Sequence, residues 1–283
     1  TYRDIFQKYV DIKGTRVKTH DIYFRQEGNK MIGESTLLLA NEGPQPLPTP
    51  VLYLNPGLCV TALRGHDNEE LPYHRESQAI ILQTPLPPGE ETLVRLTYEG
   101  PIDEAVCFPD FTDEEFHDTR LRCFFRGYDS RFRHGRCFAR VGDNYTLLFP
   151  ECLWYPVAIP PVNVNTPLAR QYDLTRYRLK VGNVGQRVAI SQGKMTTNGD
   201  TAIFTNHQPL PSLTLAIGTY EREAIVLDSL TLELYYFPGH DFFTRDYTCL
   251  KDSARLLLED PVSQIREIKG GDYPYRKFTL VET

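Results

Sequence analysis

Apolar and polar side chains alternate in short runs along most of the chain, and glycine, proline or asparagine interrupts them about every 8–12 residues. Ile12–Phe24 and Met31–Ala40 read as two strands joined by a turn at Gly28-Asn29. The Pro-rich stretch 41–50 is unsuited to a central strand, because proline donates no ladder hydrogen bond. Val51–Leu54 is strand-like and runs into the turn Asn55-Pro-Gly57, and Ser77–Gln83 is a further strand. In Thr92–Tyr98, Val94, Leu96 and Tyr98 share one face while Arg95 and Thr97 take the other. Within Tyr172–Val181 the alternation is cleanest: Tyr177, Leu179 and Val181 against Arg176, Arg178 and Lys180. Val188–Gln192, Thr201–Thr205 and Leu213–Tyr220 continue it, with Asn198-Gly199 as a hairpin signal. A short helical lead-in over residues 1–10, with Ile5, Phe6 and Tyr9 on one side, precedes the strands. The pattern predicts a mainly β fold, a saddle-like antiparallel β-sandwich domain over residues 1–223.

From residue 224 the pattern changes. Leu230, Leu232, Leu234 and Tyr236 alternate as a strand, and Phe243–Glu259 carries Leu250, Ala254, Leu257 and Leu258 at helical spacing until Pro261. Phe278–Val281 is strand-like again. Strand, helix and strand over 224–283 predict the opening of an α/β domain that the chain does not complete. Between the β runs lies an unusual stretch, 107–140. An acidic block (Asp110, Asp113, Glu114, Glu115, Asp118) precedes seven arginines from Arg120 to Arg140, interleaved with Phe124, Phe125, Tyr128, Phe132 and Phe138. It reads either as a solvated excursion whose charges neutralise each other or as a docking surface rich in Arg and aromatics.

The 21 Pro, 17 Tyr and 15 Phe suit strands and turns better than long helices. A net charge of -6 argues against nonspecific nucleic-acid binding, which needs a basic surface. No apolar run approaches the roughly 20 residues of a membrane helix. The first residue is Thr and the last residues read as an unfinished strand, so the chain is expected to be a fragment of a longer protein. Cysteines 59, 107, 123, 137, 152 and 249 contain no Cys-x-x-Cys pair. They read as buried free thiols, or as a set holding one disulfide among Cys107, Cys123, Cys137 and Cys152.

Catalytic signals are scarce. A zincin site needs two histidines one helical turn apart with a glutamate base beside them, and no two of histidines 20, 66, 74, 117, 134, 207 and 240 are three or four apart. A structural zinc on Cys123, His134, Cys137 and Cys152 has spacings that match no common zinc module. There is no Gly-x-Ser-x-Gly elbow, no Walker loop and no Gly-x-Gly-x-x-Gly. Glu69-Glu70, Glu90-Glu91 and Glu114-Glu115 read as solvated loop charges. No catalytic and no metal-ligating residue is assigned.

The order of several segments does carry information. Gly33-Glu34 stands in an early strand, followed by Leu52-Tyr-Leu-Asn-Pro-Gly-Leu58 and Tyr98-Glu-Gly100. Then come Leu147-Leu-Phe-Pro-Glu-Cys-Leu-Trp-Tyr-Pro-Val157 with the only Trp, Tyr177-Arg-Leu-Lys-Val181, Ala216-Ile-Gly-Thr-Tyr220 and Tyr273–Lys277 leading to Leu280-Val-Glu282. This order resembles the front of the aminopeptidase N family of zinc metallopeptidases, stopping before the His-Glu-x-x-His helix. It is most similar to a bacterial branch in which the peptidase-like region is attached to ABC-type permease segments.

The resemblance implies a β-saddle domain over 1–223 and the start of a thermolysin-like catalytic domain over 224–283. It implies a non-catalytic role for this chain: capping the active-site cleft and shaping access for peptide N-termini. Zinc is then expected in the missing catalytic domain and none in this fragment. The expected partners are the remainder of that domain, a peptide substrate and permease or membrane segments; the sequence leaves the location open, with an extracytoplasmic, membrane-tethered parent as one option. Family members place a Gln or Glu before the aromatic-Pro stretch to hold the substrate α-amine, and here Glu151 is the nearest acid. Glu151 is therefore the candidate substrate-binding residue. Its structural alternative is to accept backbone hydrogen bonds or pair with an Arg of the 120–140 block. The rival reading of the whole chain is an extracytoplasmic β-sandwich binding module that presents aromatics to a protein or glycan. The strand-helix-strand tail favours the first reading.

Overall fold

The period-two runs between residues 15 and 217 become strands whose apolar sides meet in one core. The computed structural model describes residues 1–9, 12, 14–108, 139–162, 173–227, 230–240 and 277–283. The expected helix 243–259, most of the charged stretch 107–140 and the run 273–276 lie outside the described residues, as do Cys123, Cys137, Cys249, His117 and His134. The fold is mainly β, and it divides into two units, residues 1–185 with 189–217 and residues 186–188 with 218–283.

In the first unit, helix α1 (Tyr2–Tyr9) buries Phe6 and Tyr9, as its pattern predicts. Strands β1 (Thr15–Glu27) and β2 (Lys30–Asn41) form a hairpin through Gly28-Asn29, where Gly28 adopts φ 61. That left-handed conformation is what a two-residue hairpin loop needs. The chain continues through β3 (Val51–Tyr53), β4 (Cys59–Arg64), β5 (Tyr73–Glu76), β6 (Ala79–Leu82) and β7 (Glu91–Gly100). After a 3₁₀ turn at Glu104–Cys107 come β8 (Ala139–Arg140), β9 (Tyr145–Leu148) and a second 3₁₀ turn at Pro150–Cys152. Then follow β10 (Arg176–Gly182), β11 (Val188–Ile190), β12 (Lys194–Asn198), β13 (Thr201–Thr205) and β14 (Leu215–Gly218). The hairpin loop expected at Asn198-Gly199 is Gly199-Asp200, with Asn198 still paired to Thr201.

Seven strands build the large sheet in the order β12-β13-β10-β1-β2-β7-β4. Register lines the apolar positions up in rows. One row is Tyr177, His20, Leu37 and Val94; the next is Phe204, Leu179, Ile22, Ser35 and Leu96; the third is Ala202, Val181, Phe24, Gly33 and Tyr98. These rows are buried against side chains of the sheets β3-β6-β5 and β11-β14-β9-β8, among them Leu52, Ile80, Leu148 and Leu215. Each fully buried Leu, Ile or Phe contributes about 1.5–3 kcal/mol relative to exposure. Gly33 has no alternative, because a Cβ there would collide with the Tyr98 ring lying across it. Within this sheet one pairing departs from the antiparallel expectation: β1 and β10 run parallel. Period two assigns residues to faces and is silent on strand direction.

The second unit holds β15 (Glu221–Leu227), β16 (Leu230–Tyr236) and β17 (Lys277–Val281) in one sheet, with β15 antiparallel and β17 parallel to β16. Leu232 pairs with Phe278 and Leu234 with Leu280, giving one apolar face. On the other face Glu233 accepts hydrogen bonds from Arg222 Nη2 at 2.9 Å and Thr279 Oγ1 at 3.2 Å, with Lys277 Nζ at 3.5 Å.

Candidate functional site

A bulge opens the first polar cluster. The β1–β2 register shifts between Val17 and Thr19: Val17 stands opposite Leu39 and Thr19 opposite Leu38, leaving Lys18 as the extra residue. The buried Val17 backbone groups find partners in side chains. Asp173 Oδ2 accepts the Val17 N–H at 2.6 Å, and Thr175 Oγ1 donates to the Val17 carbonyl at 2.7 Å. Arg16 Nε stands 3.0 Å from the other Asp173 oxygen. Burial, set against the Val17 hydrogen bond and the Arg16 charge, leaves the Asp173 carboxyl above its usual range. Beside the bulge lies a cavity of about 20 Å³ lined by His20, Asp173, Thr175, Tyr177 and the loop Pro156–Ile159. That is room for one water molecule and too little for a peptide or a sugar.

Behind this cavity runs a buried neutral chain. His20 Nε2 and Ser35 Oγ share a 2.9 Å hydrogen bond, and Ser35 Oγ meets Tyr98 Oη at 3.1 Å. Tyr155 packs edge-on to His20, Trp154 and Tyr177. Burial pushes the His20 imidazole down to about 3 and the Tyr177 phenol up to about 12, so at neutral pH both are uncharged. Tyr155 Oη accepts the Leu213 N–H at 2.8 Å, and Trp154 Nε1 donates to the Leu213 carbonyl at 3.3 Å. The two rings thus tie the 153–157 loop to residue 213 through both backbone groups. This cluster organises the core and offers no base near neutral pH.

The second cluster joins the two 3₁₀ turns, and Asn55 is its centre. Its side chain donates to the carbonyls of Cys152 at 2.6 Å and Asp103 at 3.0 Å, and accepts from the N–H groups of Gly57 and Asp103, each at 2.9 Å. Its own N–H donates to the Leu153 carbonyl at 2.8 Å. Leu153 is left-handed, with φ 53, which a non-glycine residue adopts only when its surroundings hold it there. Glu151 lies in the middle of the 150–152 turn and is 4% exposed. Cys152 is a free thiol whose Sγ donates to the Phe149 carbonyl at 2.9 Å, and burial pushes it well above its usual range, so it is inert as a nucleophile. Cys107 is also buried, whereas Cys59, read from the sequence as a buried thiol, is exposed at the start of edge strand β4.

The one candidate from sequence, Glu151, therefore sits on a turn pinned by a residue that sequence patterns do not single out. Asn55-Pro-Gly57 reads as a turn, and nothing in its composition reveals that the amide reaches residues 48 and 97 positions away. His20 escapes sequence reasoning for a related reason: its position in a strand shows burial but not its partners. Among the described residues no three His, Cys, Asp or Glu side chains gather as metal ligands would.

Neither family models nor curated proteins return a match to the sequence. Solved structures do match in fold. An M1 zinc metallopeptidase from Deinococcus radiodurans aligns over 95% of this chain and 56% of its own, at 19% identity and a TM-score of 0.60. A variant of it bound to a Tyr-Ser-Ala substrate aligns over the same shares with a TM-score of 0.58. Legionella pneumophila aminopeptidase A, in complex with aspartic acid, aligns over 96% of this chain and 29% of its own, at 14% identity and a TM-score of 0.62. The chain thus spans about half of the first protein and under a third of the second, and the likeness is one of fold.

Proposed function

We propose that this chain is the non-catalytic N-terminal domain of an aminopeptidase-N-like zinc metallopeptidase, residues 1–223, together with the opening of its catalytic domain, residues 224–283. The β-rich domain covers one side of the active-site cleft and shapes access for peptide N-termini. The observation that carries this reading is the fold likeness to M1 peptidases over nearly the whole chain, joined to the segment order read from the sequence. The apolar face of the β15-β16-β17 sheet supports it, because Phe278 and Leu280 are each 44% exposed there and suit packing against more of a catalytic domain. Zinc, which in such enzymes polarises a substrate carbonyl and activates water, belongs in this reading to chain beyond the described residues.

Glu151 is the substrate-contacting residue of this reading. The reading requires the Glu151 carboxylate, 4% exposed in this chain, to open onto the cleft of the longer protein, where it would meet the free α-ammonium of a peptide in a charge-assisted hydrogen bond. In the longer protein Glu151→Gln should lower kcat/KM for free-amine peptides by about 10- to 100-fold, the worth of a hydrogen bond to a charged group. Unchanged kinetics remove Glu151 from the site.

The reading itself is tested by producing the longer protein, in which this chain is joined to its C-terminal continuation, and assaying aminoacyl-anilide hydrolysis with and without a chelator. Chelator-sensitive release by the longer protein, and none by the 283-residue chain, is the expected result. An inactive longer protein, with the chain alone binding a glycan or protein, would instead establish the binding-module reading. Attachment to permease segments, and the membrane-tethered location it implies, rests on sequence resemblance alone. Among the described residues no helix is long and apolar enough to cross a membrane.

A further inference from the structure

An asparagine amide offers two N–H donors and two acceptor lone pairs. At Asn55 all four are spent on backbone groups of three separate segments, and the residue is fully buried. The clamp has a foundation. Gly57 and Gly100 bring the Asn55-Pro-Gly57 turn against Gly100-Pro101, where a Cβ on either glycine would strike the other strand's backbone. That close approach places Asp103 beside the amide. From the other side Arg75 Nη2 donates to the Asn55 carbonyl at 2.8 Å. The Cys152 and Leu153 carbonyls are the two peptide oxygens just C-terminal to Glu151, and both are held by this one residue.

We infer that Asn55 is the positioning residue for Glu151: by holding the Cys152 and Leu153 carbonyls, it fixes where the Glu151 carboxylate stands relative to a peptide's α-ammonium. The inference rests on the reading of Glu151 as the amine-contacting residue. It requires nothing of Asn55 toward the substrate itself.

The test uses Asn55→Asp, which keeps the acceptor for the Gly57 and Asp103 N–H groups and loses both donors. Asn55→Ser, which keeps an oxygen for the Gly57 N–H, serves where the first variant does not fold. Asn41→Asp is the comparator. Asn41 is also buried, and its amide holds the Gln45 and Leu86 carbonyls of two other loops. In the longer protein, Asn55→Asp should raise KM for free-amine peptides about tenfold with kcat within about twofold, the signature of lost binding in ground and transition states alike. Asn41→Asp should leave KM unmoved. Combined with Glu151→Gln, the Asn55 variant should add nothing further to KM, because it acts through Glu151. A variant that lowers kcat alone, as a loss of folded protein does, overturns the inference.

A second readout separates this inference from the reading beneath it. The 283-residue chain has a single tryptophan, Trp154, three residues past Glu151, so its emission reports the turn without any activity. Emission of Asn55→Asp should shift to the red while that of Asn41→Asp stays in place. If Glu151→Gln leaves KM unchanged but the emission shifts, the amine-site reading falls and Asn55 still holds the turn. If the emission does not shift, Asn55 does not position the turn, whatever Glu151 does.

Discussion

The large sheet of the first unit and the three-stranded sheet of the second are built from the same alternation and end in different states. In the first, Phe24, Leu37, Leu39 and Val94 lie completely covered beneath the other layer. In the second, Phe278 and Leu280 remain 44% exposed on the apolar face. Their polar groups differ in the same way. The first unit buries His20, Tyr98 and Tyr177 uncharged, and burial leaves its Asp173 carboxyl raised even with Arg16 beside it. The second keeps a carboxylate: burial works against the Glu233 charge, but the Arg222 hydrogen bond and the Lys277 and Arg222 charges outweigh it and hold the group below its usual range. Alternation specifies a face; a second layer closes it. At the centre of the closed layer the hydrogen-bonded groups His20, Ser35 and Tyr98 are neutral, because a buried charge costs several kcal/mol unless fully paired.

The sharpest way to break this contrast is to remove the largest side chain of the closed layer. Trp154 is fully buried, edge-on to Phe24 and Tyr155, and donates to the Leu213 carbonyl. Trp154→Ala should cost about 3–5 kcal/mol, the range for truncating a buried aromatic. Urea unfolding followed by far-UV circular dichroism measures it. A loss under about 1 kcal/mol would mean that the two layers are not packed as described.

Neutral burial predicts a pH dependence that belongs to the first unit. Unfolded, His20 takes its proton near 6.5; folded, it resists until about 3. Between those values the unfolded chain binds more protons, so stability falls as pH drops through the window. The contribution is complete above pH 6.5 and is lost progressively towards 3. At pH 4.5 the loss is on the order of 2–3 kcal/mol, two pH units at about 1.4 kcal/mol each. Asp173 acts in the opposite sense, since its carboxyl is raised and the folded chain binds the extra proton. His20→Gln isolates the histidine: the variant should lose the acid-limb slope between pH 6.5 and 4.5 while retaining that of Asp173. An unchanged slope would show that His20 is reached by solvent.

Many strands of both units can be read from the sequence because period two survives in a single chain. Thr201–Thr205 and Leu230–Tyr236 are strands with the bounds their alternation predicts. β1 and β10 are legible as strands, but their parallel pairing is not, since it depends on partners about 157 positions apart, Thr19 with Arg176. Strands β4 and β15 escape the pattern. Cys59–Arg64 is a bulged edge strand, and Glu221–Leu227 opens with charged residues on both faces, so neither shows clean alternation. The Asn55 clamp is illegible for a different reason. Its meaning lies in which carbonyls the amide reaches, and those are set by Gly57 packing on Pro101 rather than by any local pattern.

The smallest expected effect is the most telling for the second sheet. Phe278 pairs with Leu232 and Leu280 with Leu234 on the same face, yet both β17 side chains keep nearly half their surface in solvent. Only about half of each side chain is buried, so Phe278→Ser and Leu280→Ser should each cost the 283-residue chain about 1–1.5 kcal/mol, half of a full burial. Serine's weaker strand preference adds to the loss. The same face should govern self-association, since exposed aromatic and aliphatic side chains on one sheet face form a contiguous patch. Sedimentation of the double variant should show less association than the parent chain at equal concentration. In the longer protein the loss should grow, with each substitution costing about 2–4 kcal/mol, as truncations in a covered core do. If the substitutions are equally mild there, no further layer covers this face, and residues 224–283 are not the opening of a catalytic domain.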